Sequence, residues 1–403
     1  MYIAGIIAEY NPFHNGHLYH LQKTQELTSA DLIIVVMSGS FVQRGEPAVI
    51  NKWARTKMAL EAGADLVIEL PTVYSCSSAY GFAYGSVLTL KTAKANCFVC
   101  GAENTDLTTL HNIAQMSINE PSEYKQLLHK NLAQGLAFAK AHTSAIISLI
   151  PKATDILLGS NNILAVNYLK ALLKLNSDIK PYLVQRIGEN YNSTNVNSSL
   201  ASATAIRKVL PNLELVKPLM PSFSFDILTR SFSTEQPAIS LHNYSDVLLA
   251  LLRRAEINDF CSYPEIETGM PELLINNARK HSNINDFIEA CTSKRYQSSR
   301  IKRVLIRLLL NITKDIYNEA LAVEKLPYLR ILGMKKAKST IIKKWRSRLS
   351  CDVIQRPAHY LPNTRFSKQL WSLDLRATDL YNLMLKSNLS HNRQDMSYPF
   401  VVH

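Results

Sequence analysis

Four apolar runs punctuate the first hundred residues and alternate with segments of helical spacing. The runs are YIAGIIA (residues 2–8), DLIIVVMS (31–38), DLVIELP (65–71) and NCFVCGAEN (96–104). Between them lie HLYHLQKTQEL (17–27), NKWARTKMALEAG (51–63) and SSAYGFAYGSVLTLK (77–91). Strands that alternate with helices form βαβ units, and such units assemble a parallel sheet. The runs lack apolar–polar alternation, as expected when helices cover both faces. The expected class is α/β.

Further along, about residues 106–150 turn helical and more polar, which predicts a helical insert. PYLVQRIGENYN (181–192) restores a strand followed by a loop. SLASATAIRKVL (199–210) opens a helix with Ser and Thr at its front, where side-chain oxygens cap free N–H groups. Pro211, Pro218 and Pro221 then cluster, and helical spacing dominates afterwards, as in DVLLALLRRAEI, SSRIKRVLIRLLLNI and ATDLYNLMLKS. Two domains are expected, residues 1–215 and a mainly helical 216–403.

At 47% hydrophobic and 19% charged residues, the chain has the balance of globular material. No apolar run approaches the roughly 20 residues that span a bilayer, and no signal peptide is evident. The six cysteines are scattered. Cys97 and Cys100 lie in an apolar run and read as core, no zinc-ligand set is completed, and a reducing cytoplasm is expected. A net charge of +13 suits a polyanionic partner.

The first strand hands over to the first helix through EYNPFHNGH (9–17). In an open parallel sheet, ligands bind at the carboxyl ends of strands, against helix N-termini. Gly16 permits close backbone approach, and the helix offers free N–H groups to phosphate. His14 and His17, three apart, can face one ligand and stabilise charge that develops in phosphoryl transfer. Neither a Walker lysine motif nor GxGxxG is present.

GIIAEYNPFHNGHLYHL resembles the HxGH signature of the nucleotidyltransferase superfamily, and ASATAIR (201–207) resembles its second signature, ISSTxIR. Ser202, Thr204, Ile206 and Arg207 match; Ala201 and Ala203 depart, and one hydroxyl is lost. Together with MSGSFVQRGEPAVINKWARTKMAL, DLVIELP, FVCGAEN, GSNNIL and QRIGENYN, these strings resemble the bacterial tRNA(Met) cytidine acetate ligase family. The resemblance is close over roughly residues 1–210.

It implies a Rossmann-like parallel-sheet nucleotidyltransferase domain followed by a mainly α-helical, tRNA-binding domain. It also implies that acetate is activated by ATP as acetyladenylate. The acetyl group then passes to the N4 amine of the wobble cytidine of elongator tRNA(Met), giving N4-acetylcytidine. Matched position by position, His14, His17 and Arg207 become the catalytic residues. The ATP contacts become Ile7, Ala8, Glu9, Tyr10, Asn11, Pro12, Phe13, His14, Asn15, Gly16, His17, Leu18, Tyr19 and His20, with Gly101, Asn161, Asn162, Arg186, Ile187, Ser202 and Thr204. Magnesium is expected on the phosphates rather than in a protein cage. Tyr10, Phe13 and Phe41 are candidates for the acetate pocket. Arg44 and Lys52 are expected near phosphate or tRNA.

Two basic clusters suit RNA phosphates: Arg300, Arg303 and Arg307 on one helix face, and Lys335, Lys336, Lys338, Lys343, Lys344, Arg346 and Arg348 around Trp345. Trp345 is a candidate for stacking on an unpaired base. No long heptad seam indicates an oligomer. Two other readings remain open: an adenylyltransferase acting on a small molecule, and a noncatalytic RNA-binding protein that keeps the fold.

Overall fold

The computed structural model describes residues 1–136, 138–186, 201–210, 212–234, 238–385, 394–397 and 400–403. The first half builds β1 (Ile3–Ala8), α1 (Asn15–Thr28), β2 (Leu32–Ser38), α2 (Lys52–Glu61), β3 (Leu66–Leu70), α3 (Ala79–Thr92) and β4 (Cys97–Ala102). A helical stretch follows: α4 (Leu107–Asn119), α5 (Ser122–Ala133), α6 (Phe138–Leu149) and α7 (Ser160–Lys174). Then come β5 (Lys180–Gln185) and α8 (Ala203–Val209). All five strands run parallel, in the order β3-β2-β1-β4-β5. The chain moves outward from β1 to β3, then returns to place β4 on the other flank of β1. That reversal opens a crevice above β1 and β4.

The strands carry no polar alternation because each face meets its own core. Leu32, Ile34 and Val36 of β2 pack with Phe82 and Leu88 of α3 and Leu169 of α7. Ile33, Val35 and Met37 face the opposite way, toward Leu21 of α1 and Met58 and Leu60 of α2. Burying each such side chain contributes about 1.5–3 kcal/mol. A carboxylate at Val35 would have no water and no partner in that core, so this one change would break the sheet's packing.

The second half is mainly helical. It includes α9 (Ser298–Leu310), β6 (Tyr328–Met334), α10 (Ser339–Arg346), β7 (Asp352–Ile354), α11 (Arg365–Asn382) and β8 (Val401–Val402). Three of its strands extend the sheet of the first half. β6 runs antiparallel to β3, and both β7 and β8 run parallel to β6. A buried charge network locks this junction. Lys52 lies 2.9 Å from Glu69 and 2.8 Å from Asp395, and Arg330 lies 3.2 Å from Glu69 and 2.7 Å from Asp395. Lys52 also donates to the Thr378 hydroxyl at 2.9 Å. Lys52 therefore fastens the halves together and does not reach phosphate or tRNA, contrary to expectation. Its helical position next to Trp53 and Arg55 suggests a solvated face, but all three side chains are buried.

Candidate active site

The crevice holds a cavity of about 360 Å3. Among the described residues its wall carries Arg44, Arg186, Arg207 and Arg303, three histidines, and a single carboxylate, Glu9. This balance of charge favours a polyanion.

His14 and His17 owe their aim to the helix end. His14 is the N-cap of α1, and its Nδ1 accepts the Gly16 N–H at 3.1 Å. His17 Nδ1 accepts the backbone N–H of His14 at 3.3 Å. The two rings stack with centroids 3.7 Å apart. An Nδ1 that accepts carries no proton, so a neutral ring holds its proton on Nε2 and presents a donor there. The rings are neutral: burial, then the charges of Arg186 and Arg207, lower the His14 pKa to about 3. Burial, followed by His14, Arg186 and His20, also holds His17 well below the ordinary value. Burial and Arg186 lower His20 to about 4.

The segment before the helix is tightly specified. Tyr10 has a left-handed backbone (φ 48°), which costs a non-glycine residue about 1–3 kcal/mol and marks a constrained site. The Asn11–Pro12 peptide is cis. The Asn11 side chain accepts the Val49 N–H at 2.8 Å, and Glu9 accepts the Gln43 N–H at 2.7 Å. Arg55, fully buried, donates to the carbonyls of Glu9, Ser38, Gly39 and Ile50. Burial lowers its pKa to about 10. Arg55 thus ties the loops after β1 and β2 together. Burial pushes the Glu9 carboxyl up, an effect the Gln43 N–H and the charges of Arg207, Arg44 and Arg55 oppose.

Arg207 arrives from α8. It donates to the Asn11 carbonyl at 2.9 Å and to the Thr204 hydroxyl at 3.2 Å. Ser202 caps α8 through the Ala205 N–H. Gly101 lines the cavity beside Arg186, and a Cβ there would lie 3.4 Å from the Arg186 side chain, in ordinary contact. The side chain would therefore occupy cavity space without striking protein.

Of the expected ATP contacts, Ile7, Ala8, Glu9, Tyr10, Asn11, His14, Gly16, His17, Tyr19, His20, Gly101, Asn161 and Arg186 line the cavity, as does the expected catalytic Arg207. Pro12, Phe13, Asn15, Leu18, Asn162, Ser202 and Thr204 stand behind that wall. Asn162 is fully buried, and its Oδ1 accepts the N–H groups of Glu103 and Asn104 at 2.9 and 3.0 Å. Asn15 donates to the Pro218 carbonyl. The Phe13 carbonyl accepts the Ser224 hydroxyl. Ile187 lies outside the described residues, as do residues 188–200. Among the acetate-pocket candidates only Tyr10 faces the cavity; Phe41 packs instead on Tyr244 and Tyr381.

Several wall residues were not expected: Phe82, Cys100, Leu164, Tyr168, Val184, Ala203, Ser299 and Arg303. The first five give an apolar side suited to a base. Cys100 reads as core from its apolar run, although its strand position next to Gly101 points to the same rim. The basic clusters also differ from expectation. Arg307 is buried against Glu265 at 3.0 Å, and Arg300 pairs with Glu267 at 2.7 Å. Trp345 is buried and donates to the Ala93 carbonyl at 2.7 Å, so it cannot stack on a base. Lys336, Lys343, Lys344, Arg346 and Arg348 are exposed.

Among the described residues, no group of His, Cys, Asp and Glu is arranged to hold a metal, and no helix is long and apolar enough to cross a membrane. A family model for the HIGH nucleotidyl transferases matches residues 1–397. The tRNA(Met) cytidine acetate ligase of Caldanaerobacter subterraneus subsp. tengcongensis is 40% identical, with all of both chains covered. That of Thermoanaerobacter pseudethanolicus is 41% identical, again over both full lengths. Crystal structures of Thermotoga maritima TmcAL superpose over 100% of this chain and 99% of theirs. The ligand-free form has a TM-score of 0.95 at 32% identity, and the form bound with alpha-thio ATP has 0.92 at 31%. A cavity built for a polyanion, at the carboxyl ends of β1 and β4, together with full-length likeness to these ligases, establishes that the chain belongs to the tRNA(Met) cytidine acetate ligase family of HIGH nucleotidyl transferases.

Proposed function

We propose that this ligase joins acetate to the N4 amine of the wobble cytidine of elongator tRNA(Met), at the expense of ATP. The observation that carries the reading is the cavity wall, where, among the described residues, four arginines and three neutral histidines face one carboxylate.

ATP lies with its base against Phe82, Leu164 and Tyr168 and its phosphates over the start of α1. An acetate oxygen attacks the α-phosphorus, and the bond to the bridging oxygen of pyrophosphate breaks. The Nε2–H groups of His14 and His17 donate to the oxygens that gain charge, and Arg207 holds the departing pyrophosphate. Donors fixed in advance within a water-poor site cost no reorganisation during reaction. The cytidine N4 amine then attacks the acyl carbon of acetyladenylate, AMP leaves, and the amine loses a proton. Magnesium would be carried by the phosphates and would supply charge neutralisation there, with Glu9 the wall carboxylate among the described residues that would face it. Residues 216–403 form the tRNA-binding domain, with the exposed Lys343, Lys344 and Arg346 of α10 as phosphate contacts.

The test is mass spectrometry of nucleosides from unmodified elongator tRNA(Met), incubated with the protein, ATP, magnesium and labelled acetate, without acetyl-CoA. Labelled N4-acetylcytidine is the expected product. ATP consumption without it would assign another acid or acceptor. No turnover at all would favour the noncatalytic reading.

A further inference from the structure

The helix α9 belongs to the second half of the chain, yet its first turns form part of the cavity. Ser299 and Arg303 both line it. The neighbours of Arg303 on the same face are engaged with protein. Arg300 is held by Glu267 and by the Glu265 carbonyl, and Arg307 by Glu265 and by the carbonyls of Cys76 and Pro264. Arg303 differs: no ion pair reaches it among the described residues, and its Nε is buried without a hydrogen-bond partner. A guanidinium N–H removed from water without an acceptor is costly, and the nearby Glu265 is in contact with Arg307 instead.

The placement is fixed from the other side too. Gly45 (φ 74°) sits so close that a Cβ would lie 2.3 Å from the Arg303 backbone nitrogen. Lys302 and Arg207 share the carboxylate of Glu46, at 2.5 and 3.9 Å. The loop of Gln43 and Arg44 is thereby clamped on α9, and α9 is tied to the arginine of the second signature.

We propose that Arg303 binds the anionic oxygens of the adenylation substrates, so that the catalytic cavity is completed by the second half of the chain. Glu265 acts on Arg303 but is in contact with Arg307, so the contact that Arg303 lacks is supplied by a carboxylate or phosphate that enters with substrate. This assignment rests on the adenylation reading above. It removes Arg303 from the tRNA-facing surface to which its helix pattern assigns it.

The test compares wild type with Arg303→Gln and Arg303→Lys in three measurements: calorimetric binding of α,β-methylene-ATP, acetate-dependent exchange of labelled pyrophosphate into ATP, and filter binding of tRNA. Loss of one charged hydrogen bond corresponds to roughly tenfold or more. Arg303→Gln is expected to weaken nucleotide binding or to raise the acetate KM by that factor. Arg303→Lys should recover part of it, and tRNA affinity should stay constant. A change in acetate KM alone assigns the acetate carboxylate; a change in nucleotide binding assigns the phosphates. Unchanged nucleotide binding and exchange kinetics in both variants, or a defect confined to tRNA binding, would overturn the proposal. If wild type itself showed no acetate-dependent exchange, the adenylation reading would fall. Nucleotide binding would then decide on Arg303 alone: a tenfold loss in Arg303→Gln would retain it as a phosphate ligand, and equal binding would reject it.

Discussion

His17 accepts the backbone N–H of His14 at 3.3 Å while their rings stack 3.7 Å apart. One pair of interactions thus ends the helix and aims two donors. The roles can be separated. Asn is a good N-cap, so His14→Asn should keep the melting temperature near wild type while ATP–pyrophosphate exchange falls by about 100-fold or more. Wild-type exchange in this variant would remove His14 from the chemistry.

The buried histidines also set a pH dependence. Their folded pKa values lie below the ordinary 6.5, at about 3 for His14 and about 4 for His20. Between those values and 6.5 the unfolded chain binds more protons than the folded one, so stability rises with pH. The contribution is full above about 6.5 and drains away as pH falls toward 3. Bound ATP, bringing negative charge, should flatten that slope. Melting curves from about pH 4 to 8, with and without ATP, check both statements.

Ala203 stands in the cavity wall where the superfamily signature carries a serine. Restoring the hydroxyl with Ala203→Ser should tighten ATP by a few-fold, the worth of one neutral hydrogen bond at about 0.5–1.5 kcal/mol. Calorimetry on the nucleotide reads this directly. Unchanged affinity would mean that the phosphates lie elsewhere along the wall.

The network of Lys52, Glu69, Arg330 and Asp395 is buried and balanced in charge. Removing one member leaves an uncompensated ion, so Asp395→Asn should cost about 3–5 kcal/mol in denaturant unfolding. A loss below about 1 kcal/mol would show that Asp395 contributes little to joining the halves.

For RNA, the exposed cations of α10 and the buried Trp345 lead to opposite expectations. Replacing Lys343, Lys344 and Arg346 by Ala should weaken tRNA binding and lower its salt slope by about one for each phosphate no longer neutralised. Trp345→Phe should lower stability and leave tRNA affinity alone. Filter binding across a salt series tests both.

The strands of the first half were legible because each is a continuous apolar run, and a run covered on both faces needs no partner to be recognised. The turn after β1 was legible for a similar reason: Gly16, two histidines and a helix start sit within a few positions. Residues that act across the chain were not. Arg303 and Arg307 share one helical stripe, and the stripe alone does not distinguish a wet face from an interface. Trp345 among lysines looks like a stacking platform until its N–H is seen on the Ala93 carbonyl. Asn162 beside Asn161 looks like a second ligand-binding amide. Side-by-side residues on a helix point apart, however, and only Asn161 reaches the cavity.

The sheet's central order is complete by β5, but β3 keeps an open edge until β6 arrives, at Tyr328. Ribosomes add roughly 5–20 residues per second, so that edge waits on the order of ten to fifty seconds for its partner, with Glu69 held by Lys52 alone until Arg330 follows. During synthesis the nascent first half therefore carries an unpaired apolar strand edge. The chaperone demand of this enzyme should fall on that interval rather than on the finished molecule.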